Sequence, residues 1–181
     1  MVQDAVQGTA KPALANLEVP KEPVKGAVNV EGISMIFSQK TRSVQVLDSV
    51  NLRIKPGELV CLLGPSGCGK STLLNIIAGF IKPTAGYVTV DQQLVTKPAA
   101  DRGFVFQQYS LLPWKTIFQN VELGLKIKGM PKAEREDIVG EYLNLVGLGK
   151  QRNAYPAQLS GGMKQRASII RALVNSPSVL L

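Results

Sequence analysis

Histidine is absent from the 181 residues. Its absence excludes His-ligated zinc sites and both Ser-His-Asp and Cys-His nucleophilic catalysis within this chain. Cysteine is almost absent: Cys61 and Cys68 are too few for a disulfide framework, and no CxxC pair occurs. No apolar run reaches the roughly 18 residues that a membrane-spanning helix needs. The opening stretch, MVQDAVQGTAKPALANLEVPKEPVKG, lacks a basic segment followed by a solid apolar one, so no secretory signal is read there. A cytosolic setting is the simplest inference, and any catalysis must rest on phosphate-handling groups or carboxylates.

The apolar fraction of 45% and the charged fraction of 19% are those of a globular chain long enough to bury one real core. The net charge of +8 is spread along the sequence without a cluster of five like charges. It is compatible with nucleic acid, with anionic lipid or phosphate ligands, or with no specific role.

Residues 1 to 26 mix Lys, Glu, Pro, Ala and Gln without hydrophobic periodicity and read as a flexible tail. From residue 27 the pattern changes. VNVEGISMIF and VQVLDSVNLRI suggest two strands joined by the polar turn SQKTRS. After the turn KPGE, the run LVCLLG suits a central strand covered on both faces, with Cys61 as an inert core residue. KSTLLNIIAGF has helical spacing, with Leu73, Leu74, Ile77 and Ala78 on one side. GYVTV and RGFVF are further short strands. TIFQNVELGLKIKG and PKAEREDIVGEYLNLVGLG are amphipathic helices, the second opening on Pro131. SGGMKQRASIIRALVNS is a last helix, and SPSVLL, Ser176 to Leu181, reads as the first half of a buried strand.

GPSGCGKST fits G-x-x-x-x-G-K-[ST], and it lies between a predicted strand and a predicted helix. The residues are Gly64, Pro65, Ser66, Gly67, Cys68, Gly69, Lys70, Ser71 and Thr72. Glycines let successive backbone N–H groups turn inward on phosphate oxygens, and the following helix aims its N-terminus at the same place. Lys70 brings charge to the β- and γ-phosphates, and the Ser71 hydroxyl is a hard oxygen ligand for Mg²⁺. The pattern is that of a P-loop nucleoside triphosphate binder. Cys68 is a small residue tolerated in the turn, and its alkylation is expected to impair nucleotide binding.

LSGGMKQR is a second anion-binding helix start, with Ser160 as N-cap and Gly161 and Gly162 leaving amides open to close approach. By itself this stretch also fits an ordinary capped helix. Together with the P-loop it closely resembles the ATP-binding-cassette (ABC) ATPase family, over about residues 28–181 and in the family's order. The resemblance implies an α/β P-loop NTPase domain over residues 27–181, with a β-rich N-terminal part and a helical subdomain at about 109–159.

The remaining site assignments are what the resemblance implies. Phe37 resembles the aromatic residue that stacks on adenine, although an apolar strand residue is also simply core. Gln107 in GFVFQQ looks like the Q-loop glutamine that senses Mg²⁺ and the attacking water, with Gln108 its neighbouring competitor. Ser160, Gly161 and Gly162 match the signature that reaches the γ-phosphate held by a partner's P-loop, so ATP and Mg²⁺ are expected between two ATPase subunits. Met163 stands where the family most often has Gln. That residue and LLPW after the Q-loop resemble the nitrate/sulfonate/taurine/bicarbonate group of importers. Such importers imply membrane-spanning permease subunits, an extracytoplasmic solute-binding protein and a place at the cytoplasmic face of the membrane, with no nucleic acid expected. In that setting SLLPWKTIFQNV receives a coupling helix of the membrane subunit, unless Leu112 and Trp114 are subdomain core.

In the family, a strand like SVLL continues into the Walker B Asp and a catalytic Glu, followed by a histidine switch. None of these is in the 181 residues, so the chain is expected to be incomplete at its C-terminal end. A soluble ABC ATPase working on nucleic acid or ribosomes, or a non-hydrolysing regulatory nucleotide binder, are the rival readings.

Overall fold

The computed structural model of the chain describes residues 25–39 and 42–181. The expected tail lies outside the described residues apart from Lys25 and Gly26. There the Gly26 and Ala27 N–H groups donate to Asp91 Oδ1 at 2.8 and 2.9 Å.

Two long antiparallel strands follow, β1 (Val28–Gln39) and β2 (Arg42–Ile54). Val28 and Val30 are buried, and so are Ile33 and Met35. The change from even to odd positions is a β-bulge: the register shifts between Val30 and Ile33, where Gly32 takes a φ of 58°. The extra residue keeps both apolar pairs on the core face. β3 (Ala85–Val90) pairs with the other edge of β1 and β4 (Gln93–Leu94) with β3, giving the order β2-β1-β3-β4. Helix α1 (Lys70–Ala78) supplies Leu73, Ile76 and Ile77 to this first core, beside Val28, Val30, Ile33, Val88 and Val90. It stops at Gly79, whose left-handed φ of 82° suits a residue without Cβ.

β5 (Arg102–Gly103) and β6 (Val179–Leu180) form a parallel pair, so SVLL does enter a strand, but not the buried one expected: Val179 is only partly buried and Leu180 is 47% exposed. Leu181 N–H donates to Gly103 O and Val105 N–H to Leu181 O, each at 2.8 Å, which carries the ladder past the assigned residues.

LVCLLG does not behave as expected. No paired strand forms over residues 59–64, Cys61 is exposed rather than core, and Leu59 and Leu63 are each 91% exposed. A strand exists only through neighbours that take its N–H and C=O groups. Here the side facing β6 is instead a cavity of about 650 Å³, lined by Leu52, Ile54, Leu59, Val60, Leu62 and Val179 among others.

The remaining helices enclose a second core. α2 (Ile117–Val121) and α3 (Leu123–Ile127) replace the single helix expected over TIFQNVELGLKIKG. Hydrogen bonds from Glu122 N–H to Phe118 O and from Lys126 N–H to Glu122 O, both 2.9 Å, bridge the break. α4 (Lys132–Leu145) and α5 (Gly161–Leu173) complete the group. Ile117, Val121, Val139, Leu143, Leu148, Ala167 and Ile170 meet there, each at most 1% exposed.

Candidate nucleotide site

The P-loop is wedged against β2. Gly67 and Gly69 have φ values of 83° and 95°, and Gly69 is buried. A Cβ on Gly69 would lie 2.7 Å from Leu47 Cδ2 and 2.8 Å from Val46 O, so both the turn and the close approach require glycine. Gly69 is the N-cap of α1 and offers no side chain to its first turn. The opening amides of that helix, which have no partner within it, are therefore open to an anion.

Lys70 is folded back over its own loop. Its Nζ donates to Gly64 O and Pro65 O at 2.7 Å each and lies 3.5 Å from Cys68 Sγ. A phosphate at the loop would exchange these carbonyl contacts for stronger charge-assisted ones. Ser71 is exposed in the first turn of α1, beside that lysine. Its hydroxyl suits a metal that keeps most of its waters and takes only one or two protein oxygens. Among the described residues, no group of three or more His, Cys, Asp or Glu could hold a metal without such help. Glu58 and Asp101 are engaged elsewhere: Glu58 Oε2 accepts from Lys55 N–H at 2.8 Å, and Asp101 Oδ2 accepts from Arg102 at 2.7 Å.

Phe37 is 42% exposed and pairs with Val44, two residues before the Val46 carbonyl that touches the P-loop. The Phe37 ring is thus left partly open to solvent on the β1–β2 pair, whose second strand also meets the P-loop at Val46 and Leu47. Gln107 and Gln108 are both exposed in the turn that follows the β5 ladder, and burial does not choose between them. Phe104 and Phe106, ring centroids 4.6 Å apart, pack with Phe80 and anchor that turn from below.

Ser160 caps α5, its Oγ accepting from Met163 N–H at 3.4 Å, and Gly161 and Gly162 are exposed. Met163 is partly buried against the second core, so its side chain packs inward. Tyr109 Oη lies close to Gly161, where a Cβ would come within 3.2 Å. Arg171, at the other end of α5, donates to Ser110 O at 2.6 Å and to Tyr109 O at 3.5 Å. Burial pulls the Arg171 pKa below its usual value. Two neighbourhoods result: the P-loop with the Phe37 hairpin, and the Q-loop turn with the signature helix. No hydrogen bond joins them among the described residues. Tyr109 and Arg171 had no signal in the sequence, because both act through backbone carbonyls and close packing.

The family model for ABC transporters matches residues 47–181. The chain belongs to the ABC transporter family. The nitrate import ATP-binding protein NrtD of Synechocystis is 51% identical over 154 residues, 85% of this chain and 58% of that protein. The taurine import ATP-binding protein TauB of Rhizobium johnstonii is 48% identical over 155 residues, 85% of this chain and 59% of that protein. The chain thus spans about three fifths of the length of these relatives. Among solved structures, the dimeric post-hydrolysis state of the ATP-binding cassette MJ0796, bound to ADP and Pi, is similar at a TM-score of 0.77 and 39% identity. That match covers 84% of this chain and 72% of the cassette, and it shows this chain to have the ABC form of the P-loop α/β fold. No helix among the described residues is long and apolar enough to cross a membrane.

Proposed function

We propose that this chain is the nucleotide-binding portion of an ATPase subunit that powers import of a small anion or sulfonate-type solute. The observation that carries the reading is the start of α1, where uncapped amides, Lys70 and Ser71 converge beside a glycine loop packed under β2. In this reading the loop amides and Lys70 hold the β- and γ-phosphates of ATP, and Phe37 stacks on adenine. Ser71 and Gln107 would hold Mg²⁺, which would supply neutralisation of phosphate charge. Gln107 also orients the attacking water. Ser160, Gly161 and Gly162 contribute their amides to the γ-phosphate held by a second ATPase subunit.

Residues 27–181 act as the ATP-binding domain behind an N-terminal tail, with the helical part at about 109–159 relaying closure to membrane-spanning subunits at the cytoplasmic face. The exposed loop at Trp114 is the contact with those subunits. A solute-binding protein outside the membrane would deliver the solute. The importer names of NrtD and TauB support the solute class, and the dimeric cassette supports the two-subunit arrangement.

Titration of a fluorescent ATP analogue tests the core of the reading. Lys70→Ala removes one charge-assisted phosphate contact and should weaken binding roughly 10- to 100-fold. Equal binding by wild type and variant would overturn the site. Co-purification of the full-length protein with nucleic acid or ribosomes, rather than with membrane subunits, would overturn the importer reading and leave the site standing.

A further inference from the structure

We propose that Asn120 is the positioning residue of the docking loop: its buried carboxamide holds Leu112–Thr116 in one conformation and so presents Trp114 as a fixed contact. The inference rests on the assignment of that loop to the membrane-spanning subunits, and adds to it a residue that touches no partner itself.

Asn120 is 0% exposed and, with Ser168, is one of two buried polar residues among those described. Its Oδ1 accepts from Leu112 N–H at 2.7 Å. Its Nδ2 faces Leu112 O at 3.1 Å, Lys115 O at 3.0 Å and Thr116 O at 2.9 Å. A carboxamide has two N–H groups, so the three carbonyls share them and the donor capacity is fully used. Buried polar groups satisfied to this degree specify a conformation, because every alternative leaves several of them unpaired in a dry interior.

The neighbouring contacts do different work. Thr116 and Gln119 cap the start of α2 reciprocally, at 3.2 and 3.1 Å, at the last residue of the loop, and these bonds do not reach residues 112 to 115. Arg171 holds the upstream end at Ser110. Between them the loop carries Trp114 at 70% exposure, beside the exposed Pro113. A large aromatic side chain on a preset loop makes a strong interface anchor, since little ordering entropy is left to lose on binding.

Trp114 is the only tryptophan in the chain, so its emission reports this loop alone. Asn120→Asp keeps the shape and removes the donor group. In the 181-residue chain, time-resolved anisotropy of Trp114 should show the amplitude of fast segmental motion rising about twofold. Binding of the fluorescent ATP analogue should stay unchanged. Gln119→Ala weakens the helix cap without touching the carboxamide, and its anisotropy decay should match wild type. An unchanged decay in Asn120→Asp overturns the proposal, as does an equal loosening in Gln119→Ala, which would mean that general stability governs the loop. Should Asn120→Asp fail to fold, Asn120→Ser, which retains fewer of the contacts, is read the same way.

For the full-length protein co-expressed with its membrane-spanning subunits, Asn120→Asp should weaken their retention about tenfold while nucleotide binding persists. A loosened Trp114 with full retention would overturn the docking role. Loss of nucleotide binding in wild type would instead overturn the site on which the proposed function stands.

Discussion

The two halves of the chain treat similar apolar sequence in opposite ways. Around α2–α5, Ile117, Val121, Val139, Leu143 and Ile170 are sealed, at 1% exposure or less. Ahead of the P-loop, the apolar LVCLLG is left partly open, with Leu59 and Leu63 each 91% exposed although Leu62 packs against the first core. The difference is in how each element satisfies its backbone. A helix pairs its own N–H and C=O groups and needs only an apolar stripe to dock. A strand buried on both faces needs neighbours on both edges first, and its side chains are covered only once the sheet exists. The helices therefore close around a core of their own, whereas residues 59–64 stay partly open without a paired neighbour.

The sharpest way to break that contrast is a matched pair of substitutions. Leu143→Ala in the closed core should cost about 2–5 kcal/mol in a denaturant titration, through lost burial and the cavity it leaves. Leu63→Ala removes the same side chain from solvent-exposed chain and should change stability by less than about 0.5 kcal/mol. Comparable losses would mean that residues 59–64 are covered in solution and that the two halves do not differ.

The thiols test the same contrast at single residues. Cys61 and Cys68 are both exposed, so both should react with a thiol reagent in the native chain. Adducts at Cys68, 3.5 Å from Lys70 Nζ, should weaken binding of the ATP analogue by about tenfold or more, as loss of a charged contact does. With Cys68→Ser in place, modification of Cys61 should leave binding intact. In a longer protein whose additional strands fill the cavity beside Val60 and Leu62, Cys61 should become protected by at least about tenfold, while Cys68 stays reactive. A Cys61 that is already unreactive in the 181-residue chain would contradict the open strand.

These particulars show what the sequence could reveal. Gly64–Thr72 and Ser160–Gly162 stand out in the sequence because glycines, a lysine and hydroxyls fall there at fixed spacing, a local pattern that the structure sets at the starts of α1 and α5. The hairpin was legible from alternation, and its bulge follows from the shift between Val30 and Ile33 once the ladder is seen. LVCLLG was misread because its pattern reports which residues want burial and says nothing about whether a neighbour arrives. Arg171 on the Tyr109 and Ser110 carbonyls, and Asn120 on Leu112, Lys115 and Thr116, were invisible for a related reason. Their partners are backbone atoms, and any residue type carries those.

The smallest expected effect separates a surface contact within the formed sheet from the open strand. Tyr87 on β3 stands directly across from Glu31 on β1, and its hydroxyl donates to Glu31 Oε2. That hydrogen bond, and then the carboxylate's charge, raise the Tyr87 pKa above its ordinary value of 10.0. The folded state thus holds the phenolic proton more tightly than the unfolded chain does. The stability this gives is fully present below the ordinary tyrosine range and is lost as pH rises through the raised value. Because the pair is solvent-exposed, the effect is minor. Tyr87→Phe should lower the denaturation midpoint slightly and evenly from neutral to mildly alkaline pH, and the gap from wild type should close at strongly alkaline pH. The absence of any gap at neutral pH would show that Tyr87 contributes through its ring alone, which phenylalanine retains. The Glu31 contact would then add nothing, even where the sheet is fully paired.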